Sequence, residues 1–113
     1  MHINEYQTAA VSTAIYKWRG DDLIYPTLGL CGEAAELANK IKKPLRSEGT
    51  TKPSTLSSEF KREAAKELGD VLWYVALLAD ELGYTMEEVA QMNINKLMSR
   101  KERGVIEGDG DNR

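Results

Sequence analysis

The sequence predicts an all-α chain of four helices, on three observations. Apolar residues recur at three- and four-residue spacing through most of the length, the period of a helix face. Cap and breaker residues bracket these stretches at ordinary helical lengths. Strand-like alternation never persists, and no repeat or low-complexity tract interrupts the pattern. The 113 residues give room for one domain and too little for two of ordinary size.

The first helix opens at Asn4-x-x-Gln7, which has the form of a capping box, and is expected to reach about Trp18. Ala10, Val11, Ala14, Ile15 and Trp18 make its apolar stripe, and Arg19-Gly20-Asp21-Asp22 reads as a turn. Pro26 suits a first helical position. The helix it opens carries Leu30, Ala34, Leu37, Ala38 and Ile41 on one stripe and is expected to stop near Lys43, ahead of Pro44. Residues 45–58 are polar and read as the one long loop.

The third helix is expected from about Glu59 to Leu82. Ala64, Leu68, Val71, Leu72, Val75, Leu78, Ala79 and Leu82 give it an apolar face broad enough for more than one partner. Gly69 costs about 1 kcal/mol in mid-helix relative to alanine, which a close helix crossing there would explain. Gly83 ends the helix as a C′ residue. Thr85-x-x-Glu88 is a capping box for a fourth helix to about Arg100, with Val89, Met92, Leu97 and Met98 turned inward. Residues 104–113 carry too many glycines for a helix and read as a flexible arm or lid.

A net charge of −3 supplies no broad basic surface, which argues against a nucleic-acid polymer as partner. A single nucleotide remains open, because a bound metal neutralises its phosphates. Cys31 is the sole cysteine and reads as a small core residue; a reducing cytoplasm fits. The first residues lack the charge and apolar run of a signal peptide. No apolar stretch is long enough to cross a bilayer, so no membrane partner is expected.

The chemistry centres on two acidic signatures, Glu33-Ala34-Ala35-Glu36 and Glu67-Leu68-Gly69-Asp70. Each sets two carboxylates three positions apart, on one helix face. The intervening residues 37–66 leave room for a helix end, a loop and a return helix, so the two pairs can face each other on antiparallel helices. A lone acidic pair is usually solvated. Here Ala34, Leu37, Leu68, Val71 and Leu72 crowd the same sectors, so acids border the core. Four clustered carboxylates repel unless protons or a cation intervene. An all-oxygen set of this kind suits a hard divalent ion and points to phosphate chemistry.

Leu28-Gly29-Leu30-Cys31-Gly32-Glu33-Ala34-Ala35-Glu36-Leu37-Ala38-Asn39-Lys40-Ile41-Lys42-Lys43 closely resembles the first motif of the MazG-like all-α nucleoside triphosphate pyrophosphohydrolases. Lys66-Glu67-Leu68-Gly69-Asp70-Val71-Leu72-Trp73-Tyr74 resembles the second. Asn93-x-Asn95-Lys96-Leu97-x-x-Arg100 and the Gly-rich end resemble the following helix and tail of short phage and bacterial members. The gap between the motifs lies at the long end of the family's spacing, so the 45–58 loop is expected to be an enlarged connection.

The resemblance implies Mg²⁺-dependent cleavage of an NTP or dNTP to the monophosphate and pyrophosphate, with Mn²⁺ as a possible substitute. By motif position, Glu33, Glu36, Glu67 and Asp70 would hold the metal, and Glu36 would serve as general base. Lys96 and Arg100 match phosphate-contacting positions; the alternative is an exposed basic helix end that suits the macrodipole. Lys40 is either a surface ion pair or a phosphate contact. Asn93 matches a sugar- or phosphate-bonding position, and Tyr74 a nucleotide-contacting aromatic. Trp18 stands where relatives carry a base-stacking ring; for it and for Tyr74 the alternative is core packing, which is the reading adopted for Trp73. His2 is expected to be exposed and without a role.

Family likeness further implies a homodimer or homotetramer, and a core interrupted by four carboxylates would benefit from such association. Phosphoribosyl-ATP pyrophosphohydrolase or a dimeric dUTPase-like enzyme is the alternative within the class. Outside it stands a non-catalytic helical module that keeps the acids for metal binding or dimerisation.

Overall fold

Four helices and no strand make up the computed structural model, which describes residues 1–113. They are α1 (Ile3–Ser12), α2 (Ile24–Glu48), α3 (Ser58–Glu81) and α4 (Met86–Glu102), with a single 3₁₀ turn at Pro53–Thr55. The all-α architecture expected from the sequence is the one found. Every other helix packs on α3. α2 runs antiparallel along it, bringing Gly29 beside Tyr74 and Lys40 beside Glu67. α1 and α4 meet the C-terminal half of α3, where Ala10, Ala76, Ala79 and Met86 form the buried cluster.

Small residues make this crossing possible. Ala76 is fully enclosed and Ala79 nearly so, which lets two helix backbones approach α3 closely. The corner between α3 and α4 is built as its sequence predicts. Gly83 takes a left-handed φ of 81°, and Tyr84 N–H returns to Ala79 O at 2.8 Å, a Schellman bond. Thr85 and Glu88 form the complete capping box.

Several boundaries differ from expectation, each for a visible reason. Asn4 and Gln7 do not cap α1; its N-cap is His2, without a side-chain bond. They reach across the chain instead. Asn4 Oδ1 accepts the Glu87 amide at 2.9 Å. Gln7 is buried, accepts the Met86 amide at 3.0 Å, and donates to Tyr84 O at 2.9 Å and Ala76 O at 3.3 Å. One amide side chain thus satisfies three backbone groups of the α3–α4 corner.

α1 ends at Ser12 rather than Trp18, because residues 13–23 are claimed by Glu81. Its carboxylate accepts Tyr16 Oη and Gly20 N, both at 2.7 Å, and Asp22 N at 3.3 Å. Burial opposes the charge on Glu81, but these donors outweigh it and leave its pKa lowered. The loop so held contains Trp18 at φ 67°, a conformation costly for a bulky L-residue. Asp22 then accepts the Ile24 and Tyr25 amides and starts α2.

Pro44 does not stop α2. The helix continues to Glu48 and ends at Gly49 in the left-handed region. The ring forfeits one intrahelical bond, to the Lys40 carbonyl, but Pro44 is buried where α2 meets the start of α3. The polar connection therefore opens at Gly49, later than the expected Leu45.

Cys31, expected in the core, is exposed, because only α3 covers α2. The same holds for much of the predicted apolar face. Leu68, Leu72, Met92 and Met98 are 55%, 37%, 58% and 48% exposed. The radius of gyration is 17.0 Å, against about 13 Å for a compact domain of this length. Residues 104–113, expected as a flexible arm or lid, fold back on α4, where Lys96 and Arg100 donate to Asp111; Arg113 closes the tail on itself by donating to the carbonyls of Val105, Ile106 and Gly110.

Gln7→Ala should destabilise the chain by about 2–4 kcal/mol, because it strands three polar groups at a buried corner. Urea unfolding checks this. An unchanged midpoint would show that the corner does not depend on Gln7.

Candidate metal centre

Three of the four motif carboxylates converge. Glu33 projects from α2 and Glu67 and Asp70 from α3, and one oxygen from each lies within 4.8 Å of the others. Glu33 and Glu67 are half-buried and Asp70 is exposed. Burial raises the Glu33 pKa, and the charges of Asp70, Glu67 and Glu36 raise it further. Carboxylates this close repel one another while ionised. The trio therefore fits a divalent cation on two counts, an all-oxygen donor set and an unpaid repulsion that a cation relieves. Glu36, the fourth, stands exposed outside the trio but close enough for its charge to be felt at Glu33.

Lys40, one turn beyond Glu36 on α2, sits 3.7 Å from Glu67 as an ion pair at the edge of the centre. It balances one of the three negative charges and remains within reach of an anion brought there.

The acids open into a groove of about 450 Å³ lined by Tyr6, Glu33, Gly69, Asp70, Trp73 and Tyr74. Tyr74 thus lies beside the carboxylates, as its motif position predicts. Its hydroxyl pKa is raised by burial first, then by Tyr25, Glu33 and Asp70. Trp73 lines the groove as well as packing on the buried cluster, and its Nε1–H donates to Thr13 Oγ1 at 2.9 Å. Gly69 does not mark a helix crossing: a side chain there would meet open space. The glycine keeps the groove floor low.

Tyr6 and Tyr25 belong to this neighbourhood and were not singled out from the sequence. Tyr6 lines the groove with Glu33 and Asp70, and burial and then the Asp70 charge raise its pKa. No local pattern announces it, because α1 reaches the groove only through packing on α3. Tyr25 stacks on Tyr16 at 4.7 Å and tilts against Tyr74 at 6.5 Å. Trp18 is 70% exposed on the Glu81-held loop, under Lys17 Nζ at 4.8 Å, and does not line the groove.

The basic residues of α4 lie elsewhere. Asn93 and Lys96 line a separate groove with Leu82, Tyr84, Val89, Met92 and Asp111. Lys96 Nζ donates to Asp111 Oδ1 at 2.6 Å, and Arg100 Nη2 to the same oxygen at 3.2 Å. These two cations hold the Asp111 pKa below its ordinary value. Arg100 is buried, and its Nε finds no partner. The separation follows from topology. Asp70 precedes Leu82, which lines this second groove, by twelve residues, about 18 Å of helical rise.

Without a cation, Asp70→Asn should melt at or above the wild-type temperature, because it removes one repelling charge. With Mg²⁺ the order should reverse. A cation at a hundred times its Kd stabilises the wild type by about 2.7 kcal/mol, and the variant should lose most of that gain. Thermal melts with and without Mg²⁺ decide it; equal gains in both proteins would remove Asp70 from the centre.

Comparison with known proteins identifies the family. The family model for the MazG nucleotide pyrophosphohydrolase domain matches residues 26–105, which contain all three converging acids. The Gene 37 protein of Mycobacterium phage L5 is 51% identical over 118 aligned positions, covering all of both chains. The uncharacterized protein YvdC of Bacillus subtilis (strain 168) is 32% identical over 74 residues, 65% of this chain and 70% of its own. No solved structure matches. Most of the sequence, with the acidic helices at its centre, is thus shared, and the chain belongs to the MazG nucleotide pyrophosphohydrolase family.

Proposed function

We propose that this protein is a Mg²⁺-dependent nucleoside triphosphate pyrophosphohydrolase that converts a free NTP or dNTP to the monophosphate and pyrophosphate, clearing excess or noncanonical nucleotides in the cytoplasm. One observation carries the reading: Glu33, Glu67 and Asp70 converge within 4.8 Å at the motif positions of a family whose activity is nucleotide pyrophosphohydrolysis. The family generally depends on a divalent metal, and the acidic trio supplies oxygen donors for one. Mn²⁺ takes similar oxygen ligands and can replace it.

Glu33, Glu67 and Asp70 would hold the ion. When bound, it neutralises phosphate charge and lowers the pKa of a coordinated water. Glu36, exposed one turn along from Glu33, would take the water proton as general base. The water oxygen forms its bond to phosphorus, the bridging P–O bond between the α- and β-phosphates breaks, and pyrophosphate leaves. Lys40, already at Glu67, turns to a phosphate oxygen as a point charge. Tyr74 flanks the nucleoside in the groove, and Trp18, exposed outside it, would stack on the base only once its loop moves in. Lys96, Arg100 and Asn93 meet phosphates or sugar only from a second copy or after rearrangement, since they line another groove.

A homodimer or dimer of dimers supports the same reading. Leu68 and Leu72 are exposed next to the acids, and the open helix faces leave apolar surface that a second chain would bury. Sedimentation should give a mass of two or four chains at micromolar concentration, and Leu68→Asp should shift it toward one. A monomeric wild type would end this part of the proposal.

A panel of nucleoside triphosphates with pyrophosphate detection, run with and without Mg²⁺, tests the activity. Glu36→Gln should lower kcat by about 10²–10⁴-fold with the fold intact, the usual range for a lost general base. Release of inorganic phosphate in place of pyrophosphate, or turnover indifferent to Mg²⁺, would defeat the reading. A structural module would show no turnover to lose.

A further inference from the structure

The close approach between α2 and α3 occurs at Gly29. A Cβ built on this glycine would lie 2.7 Å from Tyr74 Cδ1 and closer still to Cε1 and Cζ. Real Cβ atoms essentially never come that near, and an aromatic ring cannot bend away as a flexible chain end can. The whole ring would have to leave its place.

Its other sides are occupied. Trp73 meets the ring edge-on, at 4.9 Å and 84°. Tyr25 tilts against it at 6.5 Å and is itself stacked on Tyr16 at 4.7 Å. Tyr16 is tied by its hydroxyl to Glu81 at 2.7 Å. The side left open is the groove shared with Glu33 and Asp70. A ring pushed off α2 therefore moves into the space beside the carboxylates.

We propose that Gly29 is a positioning residue of the nucleotide groove: its missing side chain seats the Tyr74 ring against α2 and keeps the space beside Glu33 and Asp70 clear for the nucleoside of a bound triphosphate. This rests on the reading of the groove as the nucleotide site. Gly29 touches no reacting group. It acts through Tyr74, whose place in turn depends on the Tyr25–Tyr16–Glu81 support behind it.

Gly29→Ala tests the proposal against a simple alternative. Alanine is the better helix former, so a glycine without this role would be replaced with a gain in stability and no change in KM. The proposal expects the opposite: displaced Tyr74 ring signals in NMR, assigned against Tyr74→Phe, and a KM raised about tenfold with kcat within about threefold, the pattern of lost binding. Affinity for a non-hydrolysable triphosphate analogue with Mg²⁺ should fall in parallel. Because Gly29→Ala alone can destabilise the fold, Gly29→Ala/Tyr74→Ala is the companion variant. With the ring gone, the added methyl should cost nothing further, so the double variant should melt at or above Tyr74→Ala and match it in KM. Additive losses, or an unmoved ring, overturn the proposal. A wild type that cleaves no triphosphate sinks the enzymatic reading separately; the analogue titration then decides this one, and equal affinities for wild type and Gly29→Ala refute it.

Discussion

α3 is the constraint on which the rest depends, because one helix has to serve three partners. It does so by dividing its length. Toward its C-terminus it presents Ala76 and Ala79, whose small side chains admit α1 and α4 at close range. Toward its N-terminus it is paired with α2 alone. The first half is closed and stapled by Gln7 and Asn4. The second keeps an open flank on which Glu67 and Asp70 meet Glu33. Rigid packing thus ends where the charge cluster begins, so the acids gain fixed backbone positions without being sealed from solvent.

That placement resolves a conflict between folding and chemistry. Three carboxylates within 4.8 Å resist assembly. Deep burial would push them to protonate, and full exposure would scatter them. Half-burial of Glu33 and Glu67, with Lys40 on Glu67, holds the group together while leaving most of its negative charge uncancelled. The stability withheld here is supplied at the α3–α4 corner, where a capping box, a Schellman bond and a buried amide coincide.

The sequence revealed whatever depends on spacing along one helix. The Thr85–Glu88 box and the Gly83 stop are local patterns and are found as read; of the two acidic pairs, three carboxylates converge and Glu36 stands apart. What it concealed depends on contacts between helices. Asn4 and Gln7 have the spacing of a cap yet serve another helix. Pro44 reads as a stop, but burial offsets its lost hydrogen bond. Gly69 and Gly29 look alike in sequence, and only the path of α2 shows that Tyr74 lies over one and open space over the other. Cys31, Leu68 and Leu72 have core-like neighbours in sequence but no helix to cover them in a single chain.

The position of α4 follows from the same division. Its direction is set by the corner: Gly83 in a left-handed turn, the Thr85 and Glu88 cap, and the Asn4 and Gln7 bonds to the Glu87 and Met86 amides. Swinging α4 toward the acids would break several of these at once. Within one chain, then, the Lys96–Arg100 pair stays on its own side, where Asp111 supplies a counter-anion. That counter-anion is weakly placed, since its carboxylate is 75% exposed and Arg100 Nε remains unpartnered. Exposed ion pairs contribute little, whereas a buried, unmet charged donor is costly. The cation paired with the acidic trio is accordingly Lys40, on Glu67.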